Sequence, residues 1–250
     1  VVKQTSIDTQ KRIIDGTLYV YRADKPYVDI VKNLDISTPI DYSIFQPSVL
    51  SGNSLIANTN YVTTRTTESY DSFGNPESVL ARNGVRQSYI WGYNSTMLVC
   101  QAINAKPTDV YVNDFEESDG NSSIGDSKTG VMSKTNGFSK SLTGLSSDLS
   151  YFLTYFKKES GVWVFYKQSI NAGITSYNIT LHGQIDNVCF YPQNATLTVS
   201  TYIPAFGQTS STDSNGITTY YEYDSLGRLV LIKNSAGEIE KQHSYNYKRY

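Results

Sequence analysis

A tyrosine-aspartate turn motif occurs twice in this chain, and a short motif that repeats restricts a protein to folds assembled from stacked units. Residues 220–230 read Tyr-Tyr-Glu-Tyr-Asp-Ser-Leu-Gly-Arg-Leu-Val, and residues 70–76 carry a degenerate copy. Superposing the copies aligns Tyr70 with Tyr223, Asp71 with Asp224 and Gly74 with Gly227. The sequence therefore predicts an architecture of repeated elements.

Each copy of the motif predicts a β-hairpin. An aspartate accepts hydrogen bonds from its own turn, and the glycine adopts the positive φ that other residues resist. A second turn follows each copy, at residues 83–84 and 236–237, and a weaker third unit has its turn at residues 215–216. Because a single hairpin is only marginally stable, we expect these hairpins to join one sheet, in which residues 201–250 pair with residues 60–105.

At these residues the sequence resembles the Rhs/YD-repeat family of bacterial secreted and cell-surface proteins. The resemblance covers residues 60–105 and 201–250 and rests on the motif at 220–229 and the turn at 234–239. It implies a spiralling β-sheet shell whose partners are the remaining repeats of the same polypeptide. It also implies that Asp71, Gly74, Asp224 and Gly227 are turn residues without a chemical role. In that family the shell can enclose a C-terminal toxin, which would lie outside these residues.

The segment between the two repeat regions, residues 106–200, has a different texture and is named the middle segment. Apolar runs at 151–156, 162–166 and 185–191 predict buried strands, separated by turns rich in Gly, Ser and Asn. The overall prediction is an all-β chain with N-terminal strands and a repeat at 1–105, a jelly-roll β-sandwich at 106–200 and repeat hairpins at 201–250. The middle segment is similar to jelly-roll carbohydrate-binding modules, although its small turn at 127–130 lacks their usual histidine.

This second resemblance implies a structural calcium ion. In those modules a carboxylate from the first strand and one from the last strand meet the carbonyls of the small turn, and Glu116 and Asp186 match these two positions. Carboxylate and carbonyl oxygens from separate strands are ligands that suit calcium. The alternative is that both acids are solvated or cap turns.

Surface glycans are the other candidate ligand of the middle segment. A pyranose ring stacks its C–H face on an aromatic side chain, and the available aromatic residues are Trp163, Tyr155, Tyr166 and Tyr177. All four also have an interpretation as core residues, because aromatic side chains within apolar strands usually pack inside.

The sequence offers few groups for catalysis, and we expect no enzymatic activity. Neither His182 nor His243 lies in a nucleophile or metal motif. Glu116 and Glu117 form a carboxylate pair, but adjacent residues of a strand point to opposite faces, so the two would not flank one glycosidic bond.

Charge and hydropathy restrict the partners. The formal net charge is -2 without a basic patch, which argues against nucleic acid, and no apolar run is long enough to cross a membrane. Cys100 and Cys189 form a disulfide or lie separately in the core, and the sequence alone leaves both open. The predicted function is a structural and adhesive segment of a secreted or surface Rhs-like protein, with glycan binding by the sandwich. The alternative is a shell fragment of a toxin-delivery protein.

Overall fold

The computed structural model describes residues 2–46, 48–52, 54–117 and 119–246. Within these residues every regular element is a β-strand except one 3-10 turn at Pro107–Asp109. The predicted all-β class is therefore confirmed. The chain divides into two compact units, one up to Arg86 and one from Gln87 onward. No helix in the described part of the chain is long and apolar enough to cross a membrane.

The first unit is an antiparallel sheet with a small core. Its strands are β1 (Val2–Ile7), β2 (Arg12–Tyr21), β3 (Val28–Leu34), β4 (Ile40–Asp41), β5 (Val49–Ser51), β6 (Ser54–Ile56), β7 (Tyr61–Tyr70) and β8 (Pro76–Ala81). The sheet runs in the order β1-β2-β3-β7-β8, with β4 also paired to β2, and β5 and β6 form a separate hairpin. Its core consists of Ile13, Leu18, Leu34, Phe45 and Tyr61.

The second unit contains the remaining strands in three sheets. The strands are β9 (Arg86–Gly92), β10 (Met97–Ile103), β11 (Tyr111–Asn113), β12 (Phe138–Thr143), β13 (Tyr151–Glu159), β14 (Val162–Ile170), β15 (Ser176–Leu181), β16 (Ile185–Pro192), β17 (Thr196–Ile203), β18 (Gly207–Asp213), β19 (Thr218–Tyr223), β20 (Leu229–Lys233) and β21 (Ile239–Gln242). The order β9-β10-β17-β18-β19-β20-β21 defines the hairpin sheet. A four-stranded sheet, β11-β16-β13-β14, and a two-stranded sheet, β12-β15, lie in the middle segment.

The hairpins at the C-terminal end follow the sequence prediction. Gly216, Gly227 and Gly237 occupy the three predicted turns with φ of 77°, 74° and 84°, the region in which glycine is favoured. Strand β17 pairs with β10, with Val199 opposite Cys100. The hairpins therefore continue the sheet that β9 and β10 begin, as the shared motif predicts.

The middle segment packs two sheets around an apolar core. Tyr151 and Leu153 of β13 and Phe190 of β16 contact Leu142 of β12 and Ile179 of β15. All of these side chains are buried. Tyr151 and Leu153 face the same core because alternate residues of a strand point to the same face. Six strands, β11–β16, build this part of the described chain, fewer than the eight of a jelly roll. The jelly-roll assignment stays a prediction.

The opposite face of the four-stranded sheet packs against the hairpin sheet. Cys189 and Tyr191 of β16 lie in one buried cluster with Val99 and Ala102 of β10 and Val199 of β17. The strands of the middle segment and the repeat strands thus share a hydrophobic core. The boundary between the two compact units lies after residue 86. The sequence analysis placed its domain boundaries elsewhere, after residues 105 and 200.

Candidate functional site

Two carboxylates, a buried one and a half-buried one, hold the turn at residues 127–132, which we name the clamped turn. Asp186 lies in β16, and its Oδ2 accepts the backbone N–H groups of Lys128 and Thr129, both at 2.8 Å. Glu116 follows β11, and its Oε1 accepts the N–H groups of Val131 and Met132, also at 2.8 Å. The two acids that the sequence singles out therefore converge on one turn.

Burial dominates the electrostatics of both carboxylates. Removal from water raises the pKa of Asp186 to about 8, and repulsion from Glu116 adds to the shift. Burial likewise raises the pKa of Glu116 to about 7, with repulsion from Asp114 as a smaller contribution. The backbone hydrogen bonds act in the opposite direction but do not cancel the desolvation. Both carboxyl groups therefore favour the protonated form near neutral pH unless a cation compensates their charge.

Gly130 allows Glu116 to approach the turn closely. Its φ is +58°, and a Cβ at this position would lie 2.2 Å from the Glu116 Cδ and 2.3 Å from Oε1. Any larger residue would push the carboxylate away from the N–H groups that it accepts. The glycine in the sequence Ser-Lys-Thr-Gly is thus explained by the carboxylate that it faces.

Lys128 connects the clamped turn to the C-terminal hairpins. Its carbonyl accepts the Tyr220 hydroxyl at 3.1 Å, and its ammonium lies 5.4 Å from the centroid of the Tyr220 ring. The same ammonium lies 5.5 Å from the Phe156 ring and donates to the Ser235 carbonyl at 3.5 Å. A tyrosine of the repeat motif therefore contacts the turn that Asp186 and Glu116 hold.

Both carboxylates are ligands that suit calcium, but the clamped turn presents N–H groups to them and not the carbonyls that the sequence predicted. Asp186 Oδ1 and Glu116 Oε2 each accept a single N–H in the described structure, so each keeps a lone pair. A carboxylate that stays ionised when buried is stabilised by a paired cation, a metal ion or several hydrogen bonds. The described residues contain no group of three His, Cys, Asp or Glu side chains placed for a metal, so carbonyls or water would supply the other ligands. Calcium binding through Glu116 and Asp186 stays a prediction.

The four aromatic residues considered for glycan binding do not form one surface. Tyr155 and Tyr166 are opposite each other on β13 and β14, and their rings stack with centroids 5.2 Å apart and planes 6° apart. Trp163 of β14 is opposite Lys158 of β13. Lys158 is three positions along β13 from Tyr155, so Lys158 and Trp163 lie on the other face of the sheet. Tyr177 stacks on Phe190 at 5.3 Å and packs against the apolar core.

The remaining candidates are separated from one another. His182 and His243 are both exposed. Glu117 is exposed and accepts the Asn94 N–H at 3.3 Å, while Glu116 is committed to the clamped turn. The two glutamates are thus engaged at different places.

The two cysteines are free thiols. Cys100 and Cys189 are both buried in the core shared by β10 and β16. Burial raises the pKa of both thiols, which keeps them protonated and unreactive. Of the two interpretations left open by the sequence, the structure shows the pair of core residues.

Sequence reasoning did not identify Asp109, a buried acid of the middle segment. Its Oδ1 accepts the Ser146 N–H at 2.8 Å and the Tyr151 hydroxyl at 2.7 Å, and its Oδ2 accepts the Ser146 hydroxyl at 2.8 Å. These partners lie 37 and 42 residues away along the chain. No local signal in the sequence links them.

The comparison with known families locates the repeat. The RHS repeat family model matches residues 205–239. These residues are therefore similar to an RHS repeat. Strands β18, β19 and β20 and the turns between them lie within the match, and RHS repeats are generally structural. No curated protein matches the chain.

Proposed function

We propose that the chain is a non-catalytic, structural segment of a larger Rhs-like protein of the bacterial surface, and that the middle segment is a built-in part of its wall. The contact between Tyr220 of the RHS repeat and Lys128 of the clamped turn is the main support. The hydrophobic core shared by the middle segment and the hairpin sheet supports the same proposal. A protein that contained only residues 106–200 would lack half of this core. The middle segment is therefore best tested in the full chain.

The position of the two tryptophans gives a direct test of this proposal. Trp91 lies in β9 of the hairpin sheet and Trp163 in β14 of the middle segment. In Trp91→Phe the remaining tryptophan, Trp163, reports on the middle segment. In Trp163→Phe the remaining tryptophan, Trp91, reports on the hairpin sheet. We expect the two reporters to give the same urea midpoint, because one shared core unfolds cooperatively. Two separate transitions would show that the middle segment is an independent attachment.

We further propose adhesion through glycans bound at the Tyr155–Tyr166 pair. The support is the parallel stack of Tyr155 on β13 with Tyr166 on the edge strand β14, beside the Glu159 carboxylate that accepts the Tyr166 hydroxyl at 2.8 Å. Aromatic rings next to hydrogen-bonding groups suit a sugar. The full chain would be applied to a glycan array together with Tyr166→Ala. Trp163→Ala, on the opposite face, is the matched control and is expected to retain binding.

A shell fragment of a toxin-delivery protein is the second candidate. The observation in its favour is again the burial of one face of the middle segment against the hairpin sheet, which thickens a wall without requiring a ligand. A folded chain that binds no glycan on the array would favour this candidate. Detection of a toxin domain in the polypeptide that carries this segment would decide between them.

A further inference from the structure

Apolar side chains stand at the tips of the repeated hairpins. Phe73, Phe206 and Leu226 each precede a turn glycine, and they are 70%, 43% and 72% exposed. Turn positions more often carry Gly, Pro, Asn, Asp or Ser. A large apolar side chain that stays exposed at the same place in three units indicates a contact surface.

Two of these tips lie at one edge of the hairpin sheet. Strands β9, β10, β17, β18, β19 and β20 are neighbours in that order, and each pair is antiparallel. Their alternate turns therefore lie at the same end, which we name the tip edge and define by the turns at residues 93–96, 204–206 and 224–227. Phe206 lies beside the next tip, 3.8 Å from the position of a Cβ on Gly227.

An apolar pocket lies at the same tip edge. Its volume is about 670 Å³, and Tyr93, Met97, Tyr202 and Ile203 contribute most of its apolar wall. Pockets of this size hold a whole ligand or peptide turn. The pocket therefore has room for a hairpin tip.

Hydrogen bonds hold the wall of this pocket in place. The Tyr202 N–H donates to the Tyr93 hydroxyl at 3.0 Å, and the Tyr202 hydroxyl donates to the Leu98 carbonyl at 2.8 Å. The two tyrosine rings meet edge to face with centroids 5.7 Å apart. A wall that is already ordered lowers the entropic cost of binding an occupant.

The spacing of pocket and tip makes the tip edge complementary to itself. The turn that carries Leu226 is two strands from the turn that follows Ile203, or about 10 Å. Phe206 lies between them on the intervening turn. A two-fold axis near Phe206 would bring Leu226 of each copy to the pocket of the other, which is the arrangement that an isologous dimer requires.

Charge at the tip edge favours the same occupant. The pocket lining includes Glu116 and Glu117 but no Lys, Arg or His. Arg228 follows the Leu226 tip, and its side chain is 28% exposed although it pairs with Asp224. A guanidinium has five N–H donors, enough for a second carboxylate. We infer that the tip edge is a self-association surface, at which Leu226 of one copy enters the apolar pocket of a second copy of this chain.

Sedimentation equilibrium of the full chain over a concentration series measures this association. Leu226→Ser removes the tip, and Ile203→Glu places a charge in the pocket wall. Each is expected to raise the dimer Kd at least about tenfold, because each removes a buried apolar contact. Ile217→Ser is the matched control, since Ile217 is 59% exposed beside a turn at the opposite edge of the same sheet, and it should leave the Kd unchanged.

A mixture of the two variants tests the contact directly. Leu226→Ser keeps the pocket without a tip, and Ile203→Glu keeps the tip without an intact pocket. An equimolar mixture restores one of the two tip contacts. It is expected to associate more strongly than either variant alone at the same total concentration. Circular dichroism of each variant, compared with the unmodified chain, verifies that both are folded.

Three results would overturn the inference. The first is a mixture that associates no better than its components, and the second is an equal loss of association in Ile217→Ser. The third is a chain that remains monomeric at about 1 mM. If that monomer takes up the neutral dye Nile red and Ile203→Glu abolishes the uptake, the pocket binds small apolar molecules instead. The tip edge shares no residue with the Tyr155–Tyr166 pair, so these results do not depend on glycan binding.

Discussion

The hairpin turns and the clamped turn use the same interaction in two environments. Asp224 Oδ1 accepts the N–H groups of Leu226 and Arg228, and Asp186 Oδ2 accepts those of Lys128 and Thr129. In the hairpin turn, hydrogen bonds from Arg228 hold the pKa of Asp224 below its ordinary value. In the clamped turn, burial raises the pKa of Asp186 to about 8. Hydrogen bonds therefore decide the pKa of the turn carboxylate Asp224, whereas burial outweighs the hydrogen bonds at Asp186.

This difference has consequences for what each carboxylate can do. An exposed turn carboxylate stays ionised and affects only its own hairpin, because water screens it. A buried one couples the fold to pH and to cations, because its charge is costly without a partner. The hairpin sheet therefore suits repetition, whereas the stability of the middle segment should depend on pH.

Asp186→Ala is expected to give the largest effect, because it leaves the N–H groups of three residues without their acceptor in a buried place. We expect a loss of about 3–5 kcal/mol in the free energy of unfolding, measured in urea. The control Asp148→Ala removes an exposed acid of the same segment and should change stability by less than about 0.5 kcal/mol. Equal effects of the two variants would contradict the difference between buried and exposed acids.

Calcium is expected to raise the melting midpoint of the full chain. An ion that binds only the folded state contributes RT ln(1 + [L]/Kd), or about 2.7 kcal/mol at a hundredfold excess over Kd. Because the ion requires ionised ligands, the increase should be greater at pH 8 than at pH 6, and Glu116→Gln should reduce it. Identical midpoints with calcium and with chelator would mean that Glu116 and Asp186 serve the clamped turn alone.

Gly130→Ala is expected to destabilise the clamped turn by about 2–3 kcal/mol, because it combines a left-handed φ with a clash against Glu116. Gly144 provides a matched control, since its φ is +76° but its Cβ would meet nothing within 4 Å. Gly144→Ala should cost only the conformational part, about 1–2 kcal/mol. If the two variants were equally stable in urea, the approach of Glu116 would not explain Gly130.

The pH dependence of stability should differ between the two environments. In calcium-free buffer, Asp186 and Glu116 hold protons in the folded chain up to pH values of about 8 and about 7, whereas in the unfolded chain they ionise near 3.8 and 4.5. Their contribution is therefore complete below about pH 4 and is lost as the pH rises to 8. Asp224 acts oppositely, because its lowered pKa makes stability fall as the pH drops below 3.8.

Thermal melts across this range measure both contributions. We expect a midpoint that declines from pH 5 to pH 8 with chelator, and a shallower decline in Glu116→Gln. A midpoint that rises over the same range would show that the buried acids are ionised and paired in the folded chain.

The sequence predicted local features well and distant contacts poorly. The turns at Gly216, Gly227 and Gly237 were predictable because an Asp or Asn and a glycine within four residues determine the hairpin geometry. The contact of Tyr220 with Lys128 joins residues 92 apart, so no local pattern indicates it. The hydrogen bonds of Asp109 with Ser146 and Tyr151 were likewise not predictable, because these partners lie 37 and 42 residues away along the chain.

The smallest effect is expected at Asp224, and the next turn of the chain explains why. Asn234 Oδ1 accepts the N–H groups of Ala236 and Glu238 just as Asp224 accepts those of Leu226 and Arg228, so an amide oxygen suffices for this turn. Asp224→Asn should therefore leave the urea midpoint almost unchanged and lose only the ion pair to Arg228, which is partly exposed. Asp224→Ala loses the turn bonds as well and should lower the midpoint slightly more. A larger loss in Asp224→Asn than in Asp186→Ala would mean that the charge of the hairpin turn, and not its hydrogen bonding, stabilises the repeat.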